Sequence, residues 1–344
     1  ILSMREDIYI MFTRNKTIDL MKYVASVLII AIHTKLFFEI NSILNFITVD
    51  IVCRFAVPFF AICSGYFMTR KFENKLENSK DFFWNHWKKL FVIYIVWALI
   101  YLIRSIPKWI EINWFSINAF IDYGIATVIT KPYYHMWYLL SALYAIPIFV
   151  LCLKCVKKTN LKWIVIILWS VKVLSYGYYQ WMPPSIINIF NFMEKFSGIR
   201  DGIFCIFPLM LLGSCVYYEK ERKNKFYKIG FVISFFLLVL EAVILRHFGQ
   251  TAVSFIIFTL PTSYFLFNLV LSIKIPIQTQ TCAILGMASL FIYLVHPLIV
   301  EFIKMLINNS ILCFALTTII ATILGVIYTI IMMFLKTRRK ETTS

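Results

Sequence analysis

Runs of about twenty apolar residues recur along the whole 344-residue chain, separated by short polar breaks, and this recurrence leaves few folds open. A helix of roughly 20 apolar residues spans the hydrocarbon of a bilayer. A soluble domain of this length could not hide the apolar surface: 61% of the residues are hydrophobic, only 15% are charged, and the mean hydropathy is +0.80. The chain reads as a polytopic membrane protein.

Taking each run as one span predicts an all-α integral membrane bundle of about ten transmembrane helices. They cover residues 18–38, 50–68, 90–104, 135–153, 163–178, 202–218, 229–245, 252–273, 283–306 and 311–335. The stretch 115–129 is too short and too mixed to span and reads as an interfacial or re-entrant helix. The net charge of +17 could suggest nucleic acid, but the Lys and Arg residues gather in the breaks, notably 70–89, 154–162, 220–228 and 336–340. That is a topology signal, and it places both termini on the cytoplasmic side. The expected organisation is a tail (1–17), a single membrane domain (18–335) and a basic cytoplasmic tail (336–344). The first run is too long for a cleaved signal peptide and is followed by further spans. Ten Gly and ten Pro are few for a transporter built from broken helices. Cys152 and Cys155 have CxxC spacing, but no second pair or neighbouring His completes a metal site, so none is expected.

Ionisable groups inside spans are costly and by default mark function. Lys22 and His33 share the first run, eleven residues apart; at 100° per residue that is close to three turns, which aligns them on one stripe about 16 Å long. With direction assigned, His33, Arg54, His135 (followed by Trp137 and Tyr138), Arg200, Asp201 and the i, i+3 pair Tyr293 and His296 fall in the outer layer. Lys22, Asp19, Tyr66 and Arg70 fall in the inner half. Two polar zones joined by one stripe imply a path through the bundle, and histidine is the side chain suited to moving a proton along it near neutral pH. Plainer alternatives stand beside this reading. His33 could be a bonded core histidine, Arg54 a snorkelling residue, His135 part of an aromatic belt, His296 a packed polar residue, and Arg200–Asp201 an outer-loop salt bridge. His86 and His247 fall in loops, and Lys172 and Lys304 read as side chains snorkelling to an interface.

Five ordered blocks resemble the signature of the integral membrane acyltransferase-3 family. These are Asp19-Leu-Met-Lys22 with His33; Arg54 through Ser64-Gly-Tyr66; Tyr134-His-Met-Trp-Tyr-Leu139; Ile199-Arg-Asp-Gly-Ile-Phe204; and Ser289 through His296-Pro297. The resemblance implies a bacterial plasma-membrane enzyme that moves an acetyl or other acyl group from cytoplasmic acetyl-CoA (acyl-coenzyme A) to a hydroxyl of an envelope saccharide. By similarity His33 is the catalytic base, with Arg54, Tyr293 and His296 completing the catalytic group. Lys22 stands where arginine is commoner and, with Arg70, would pair with the donor's phosphates. Ser64, Tyr66, His135, Trp137, Tyr138, Arg200 and Asp201 would line the substrate cavity. The third and fourth blocks also resemble the membrane half of membrane-bound serine racemases of vancomycin-resistance clusters. On that alternative the bundle would bind or take up L-serine for a C-terminal pyridoxal-phosphate domain that is missing or was cut away.

Overall fold

The computed structural model describes residues 15–74, 79–220, 222–251 and 253–341; the first fourteen residues of the expected N-terminal tail, and the last three of the C-terminal one, lie outside them. Among the described residues every regular element is a helix. In chain order they are α1 (Lys16–Thr34), α2 (Ser42–Glu73), α3 (Ser79–Glu111), α4 (Ile117–Ile129), α5 (Trp137–Cys155), α6 (Leu161–Tyr176), α7 (Pro184–Glu194), α8 (Ser197–Tyr218), α9 (Asn224–His247), α10 (Thr259–Ser272), α11 (Thr279–Leu306) and α12 (Ser310–Glu341). Eight of these, namely α1, α2, α3, α5, α8, α9, α11 and α12, are long and apolar enough to cross a bilayer. The chain is a multi-pass membrane protein.

Where helix ends depart from the apolar runs, local backbone chemistry explains the difference. α1 begins where the Asn15 side chain accepts from the Ile18 amide, 3.0 Å. It stops four residues before the run does, because Lys35 takes a left-handed φ of 53° and the Leu36 amide closes back onto Ala31 O at 3.3 Å. α2 starts earlier than expected, with Asn41 accepting from the amides of Ile43 and Leu44. It carries a π-turn over Phe46–Val52 and a 3-10 turn over Cys53–Phe55. Pro58 follows, and it has no N–H to give the Arg54 carbonyl. α3 takes in the aromatic stretch before its apolar run, where Trp84, Trp87 and Phe91 stack at 5.3 Å; His86 is therefore helical rather than in a loop. α10 begins seven residues later than the eighth predicted span, because the amides of Ile257 and Phe258 are bound by the Glu241 carboxylate at 2.8 and 2.9 Å instead of joining a helical ladder. The fifth and eighth spans form as the shorter helices α6 (16 residues) and α10 (14 residues). α7, which the apolar runs do not announce, has Pro184 in its first turn and buries none of its residues.

The described chain packs as two compact units. The first comprises residues up to 60, 222–239 and 261 onward; the second comprises 61–221 and 240–260. In the first, α1 and α11 run parallel with Gly286 against Asp19, where a Cβ would stand 2.7 Å from the Asp19 Cβ. α12 runs antiparallel to both: Tyr23 bonds Thr322 at 3.1 Å, and the Phe291 and Tyr328 rings stack at 4.5 Å. Its N-terminus is capped from a distance, since Ser310 N donates to Glu39 Oε2 at 3.2 Å. In the second unit α2 and α8 cross at backbone contact. A Cβ on Gly213 would meet Ile62 O, one on Gly65 would meet Met210 O, and Thr69 bonds Ser214 across the same seam at 2.7 Å.

Candidate functional site

In the first unit the parallel pairing of α1 and α11 brings His33 and His296 together. Their rings stack with centroids 5.2 Å apart and planes 26° from parallel. His296 is fully buried, and its Nδ1 lies 2.7 Å from Tyr293 O and 3.3 Å from Ile292 O. Donation from Nδ1–H to the carbonyl selects, for the neutral ring, the tautomer with its lone pair on Nε2. The Tyr293 ring sits 6.1 Å away on the same helix face. The Cys53–Phe55 turn of α2 packs on α1 and carries Arg54, whose Nη2 lies 3.4 Å from Asp50 Oδ1. Arg54 and Lys304 are the cations that act on the His33 ring, and Lys304 Nζ also donates to His33 O at 3.2 Å. Lys304 is exposed yet held to the site's own backbone. The His33 ring is thus turned toward α11 rather than toward lipid.

Lys22, three turns earlier on α1, pairs with the buried Asp19 at 3.4 Å. Nearby, Lys16 Nζ donates to Ile277 O and Thr17 to Ile273 O, which ties this end of α1 to the connection between α10 and α11.

The second unit holds the remaining residues singled out from sequence, in separate groups. Tyr138 on α5 shares a hydrogen bond with Ser64 on α2. Tyr66 packs edge-on against Tyr217 at 5.7 Å, and Arg70 is exposed. His135 is buried among Tyr101, Tyr133 and Tyr134 at ring distances of 5.0, 5.9 and 5.6 Å, inside an aromatic box rather than in a surface belt. Arg200 and Asp201 do form a salt bridge, but in the first turns of α8 rather than in a loop. Arg200 grips Asp201 through Nε and Nη2, Lys172 Nζ reaches Asp201 Oδ1 at 2.7 Å, and Arg200 Nη1 pairs with Glu194. Lys172 does not snorkel. It is 2% exposed, with the Tyr176 and Phe255 rings 4.9 and 4.8 Å from its ammonium. Trp137 packs edge-on against the same Phe255.

Sequence reasoning missed a further buried charge, Glu241. Its Oε1 accepts from Tyr178 at 2.7 Å and from Ile257 N, and its Oε2 accepts from Phe258 N. A lone carboxylate between Leu240 and Ala242 in an apolar run is itself a signal.

A family model described as an acyltransferase domain matches residues 15–338, from the start of α1 almost to the end of α12. The chain belongs to the acyltransferase-3 family. Similar proteins include one named amino-acid racemase from Enterococcus faecalis, 26% identical over 347 residues, covering 96% of this chain and 48% of that protein. A second amino-acid racemase from the same organism is 24% identical, covering 91% of this chain and 45% of its own. A serine/alanine racemase from Enterococcus gallinarum is 25% identical, covering 83% and 40%. The chain spans less than half the length of these relatives. No solved structure matches it. In this acyltransferase-3 chain the two stacked imidazoles, His33 and His296, lie in the first unit.

Proposed function

We propose that this acyltransferase-3 chain is a bacterial plasma-membrane O-acyltransferase with both termini in the cytoplasm, using acetyl-coenzyme A as donor and a hydroxyl of an envelope saccharide as acceptor. The observation that carries the reading is the His33–His296 stack, with His296 locked through Nδ1 to Tyr293 O and Arg54 beside it. A ring held in this way is a pre-positioned base. The acceptor oxygen attacks the thioester carbonyl carbon while the His33 ring takes the hydroxyl proton. The C–S bond then breaks, and His33 returns that proton to the departing thiolate, giving an ester and the free thiol. Arg54 offsets the negative charge that develops on the carbonyl oxygen. His296 holds the His33 ring, and the cytoplasmic cations Lys22 and Arg70 attract the polyanionic donor.

The purified chain, given labelled acetyl-coenzyme A, should turn over thioester, and His33→Ala should lower that rate by about 10²–10⁴-fold, the usual worth of a positioned base. Equal turnover in parent and variant would remove His33 from the mechanism.

A second reading is favoured by the names of the relatives, each a racemase that this chain matches over less than half its length. On that reading the bundle handles L-serine or a similar amino acid and performs no acyl transfer. Saturable serine binding, with no thioester turnover in either protein, is the outcome that selects it.

A further inference from the structure

The charge cluster on α6 and α8 is unbalanced where it is buried. Lys172, Arg200 and Asp201 have side chains 2%, 12% and 11% exposed, so two cations share one anion away from water. The charge that evens the count is Glu194, the last residue of α7, and its side chain is 63% exposed. Three of the four charges are fixed in the interior, and the fourth reaches in from solvent to Arg200 Nη1. Around the same group, donors exceed acceptors. Ser141, whose carbonyl lies against Gly202, keeps a fully buried hydroxyl with no partner among the described residues. Trp169, one turn before Lys172 on α6, keeps a buried indole N–H likewise without a partner, its ring 6.1 Å from the Phe255 ring that covers the Lys172 ammonium. Buried donors are nearly always satisfied, and a buried cationic cluster with spare donors lacks an anionic acceptor.

We infer that Arg200 Nη1 is the docking point for the carboxylate of a small monoanionic ligand, and that Glu194 occupies this position until the ligand displaces it. The guanidinium is already oriented, because Asp201 holds its Nε and Nη2 while Lys172 holds Asp201. Displacement costs little, since an exposed carboxylate regains its hydration on leaving. The net charge selects the class of ligand: one carboxylate brings the buried group to neutrality, whereas a phosphate dianion would overshoot it. α7 fits the role of carrier, being a short exposed helix that packs on the Ser197–Asp201 turn without burying a residue of its own. No residue of the His33 cluster takes part, so this site stands or falls separately from the acyltransfer chemistry.

The test uses the full chain in lipid nanodiscs, titrated by calorimetry with propionate, its uncharged isostere propionamide, and inorganic phosphate. Glu194→Gln removes the competing carboxylate and leaves the buried triad intact, so it should tighten propionate binding about fivefold, the worth of one exposed ion pair, without changing propionamide. Arg200→Gln should abolish propionate binding in protein that still elutes as a single folded species, and His33→Ala should bind propionate as the parent does. The inference is overturned if Glu194→Gln leaves propionate no tighter, if propionamide binds as well as propionate, or if phosphate competes more strongly than the carboxylate.

Discussion

Glu241 shows how a single side chain fixes both a helix start and a turn. Its carboxylate accepts three hydrogen bonds, from Tyr178, Ile257 N and Phe258 N, and so holds the stretch before α10 out of helical form. An amide offers one acceptor oxygen where the carboxylate offers two. Glu241→Gln, although isosteric, should therefore strand at least one buried donor and cost about 2 kcal/mol, read as a lowered unfolding midpoint in detergent. At this scale the sequence was legible in part: the rule that flags charges within spans picks out His33, His296, Arg200 and Asp201 and would equally have picked out Glu241. It cannot supply partners, because what turns Lys172 inward is Asp201 on another helix, and what faces His33 is a ring near the other end of the chain.

At the scale of elements, the apolar runs located the eight helices that are long and apolar enough to cross a bilayer, and the errors lie at helix ends, at interruptions and in the length of α6 and α10. Those are set by caps, by prolines and by buried hydrogen bonds rather than by hydropathy. The π-turns illustrate this. One precedes Pro58 in α2 and the other, Gly202–Ile206, precedes Pro208 in α8; in each case a ring nitrogen that cannot donate leaves a carbonyl one turn back for the backbone to accommodate. These two interrupted helices are also the ones that meet at backbone contact through Gly65 and Gly213. The approach depends on a missing Cβ, since the obstacle on each side is main chain and not a flexible side chain. Gly213→Ala should force α2 and α8 apart and cost about 3 kcal/mol, with Thr69 and Ser214 losing their shared bond. Gly124→Ala, at a position where a Cβ meets nothing, should leave the unfolding midpoint unchanged or slightly higher. A Gly213→Ala protein as stable as the parent would show that the seam can relax.

For the molecule as a whole, the distribution of basic residues and the lengths of α6 and α10 make competing statements about topology. At 1.5 Å per residue α6 and α10 extend about 24 and 21 Å, short of the roughly 30 Å hydrocarbon core. Eight crossings and ten crossings both return the C-terminus to the side of the N-terminus, so the termini do not discriminate. The break between α8 and α9 does. If α6 and α10 cross, residues 219–223 lie on the cytoplasmic side; if neither crosses, α8 runs the other way and the same residues lie outside. That break, with the first turns of α9, carries Lys220, Arg222, Lys223, Lys225 and Lys228, the kind of cluster that resists translocation. The charge argument therefore favours ten crossings, with the non-helical segments that flank α6 and α10 completing the passage. The prediction can be tested with an impermeant maleimide on intact cells, in a background where the exposed native thiol of Cys155 is replaced by serine. Lys131→Cys reports the outside and Lys157→Cys the inside on either topology, because both precede α6. Lys223→Cys should behave like Lys157→Cys and label only after the membrane is permeabilised. Labelling of Lys223→Cys in intact cells would mean that α6 and α10 stay within one leaflet and that the bundle crosses eight times, with a strongly basic break facing outward against the charge rule.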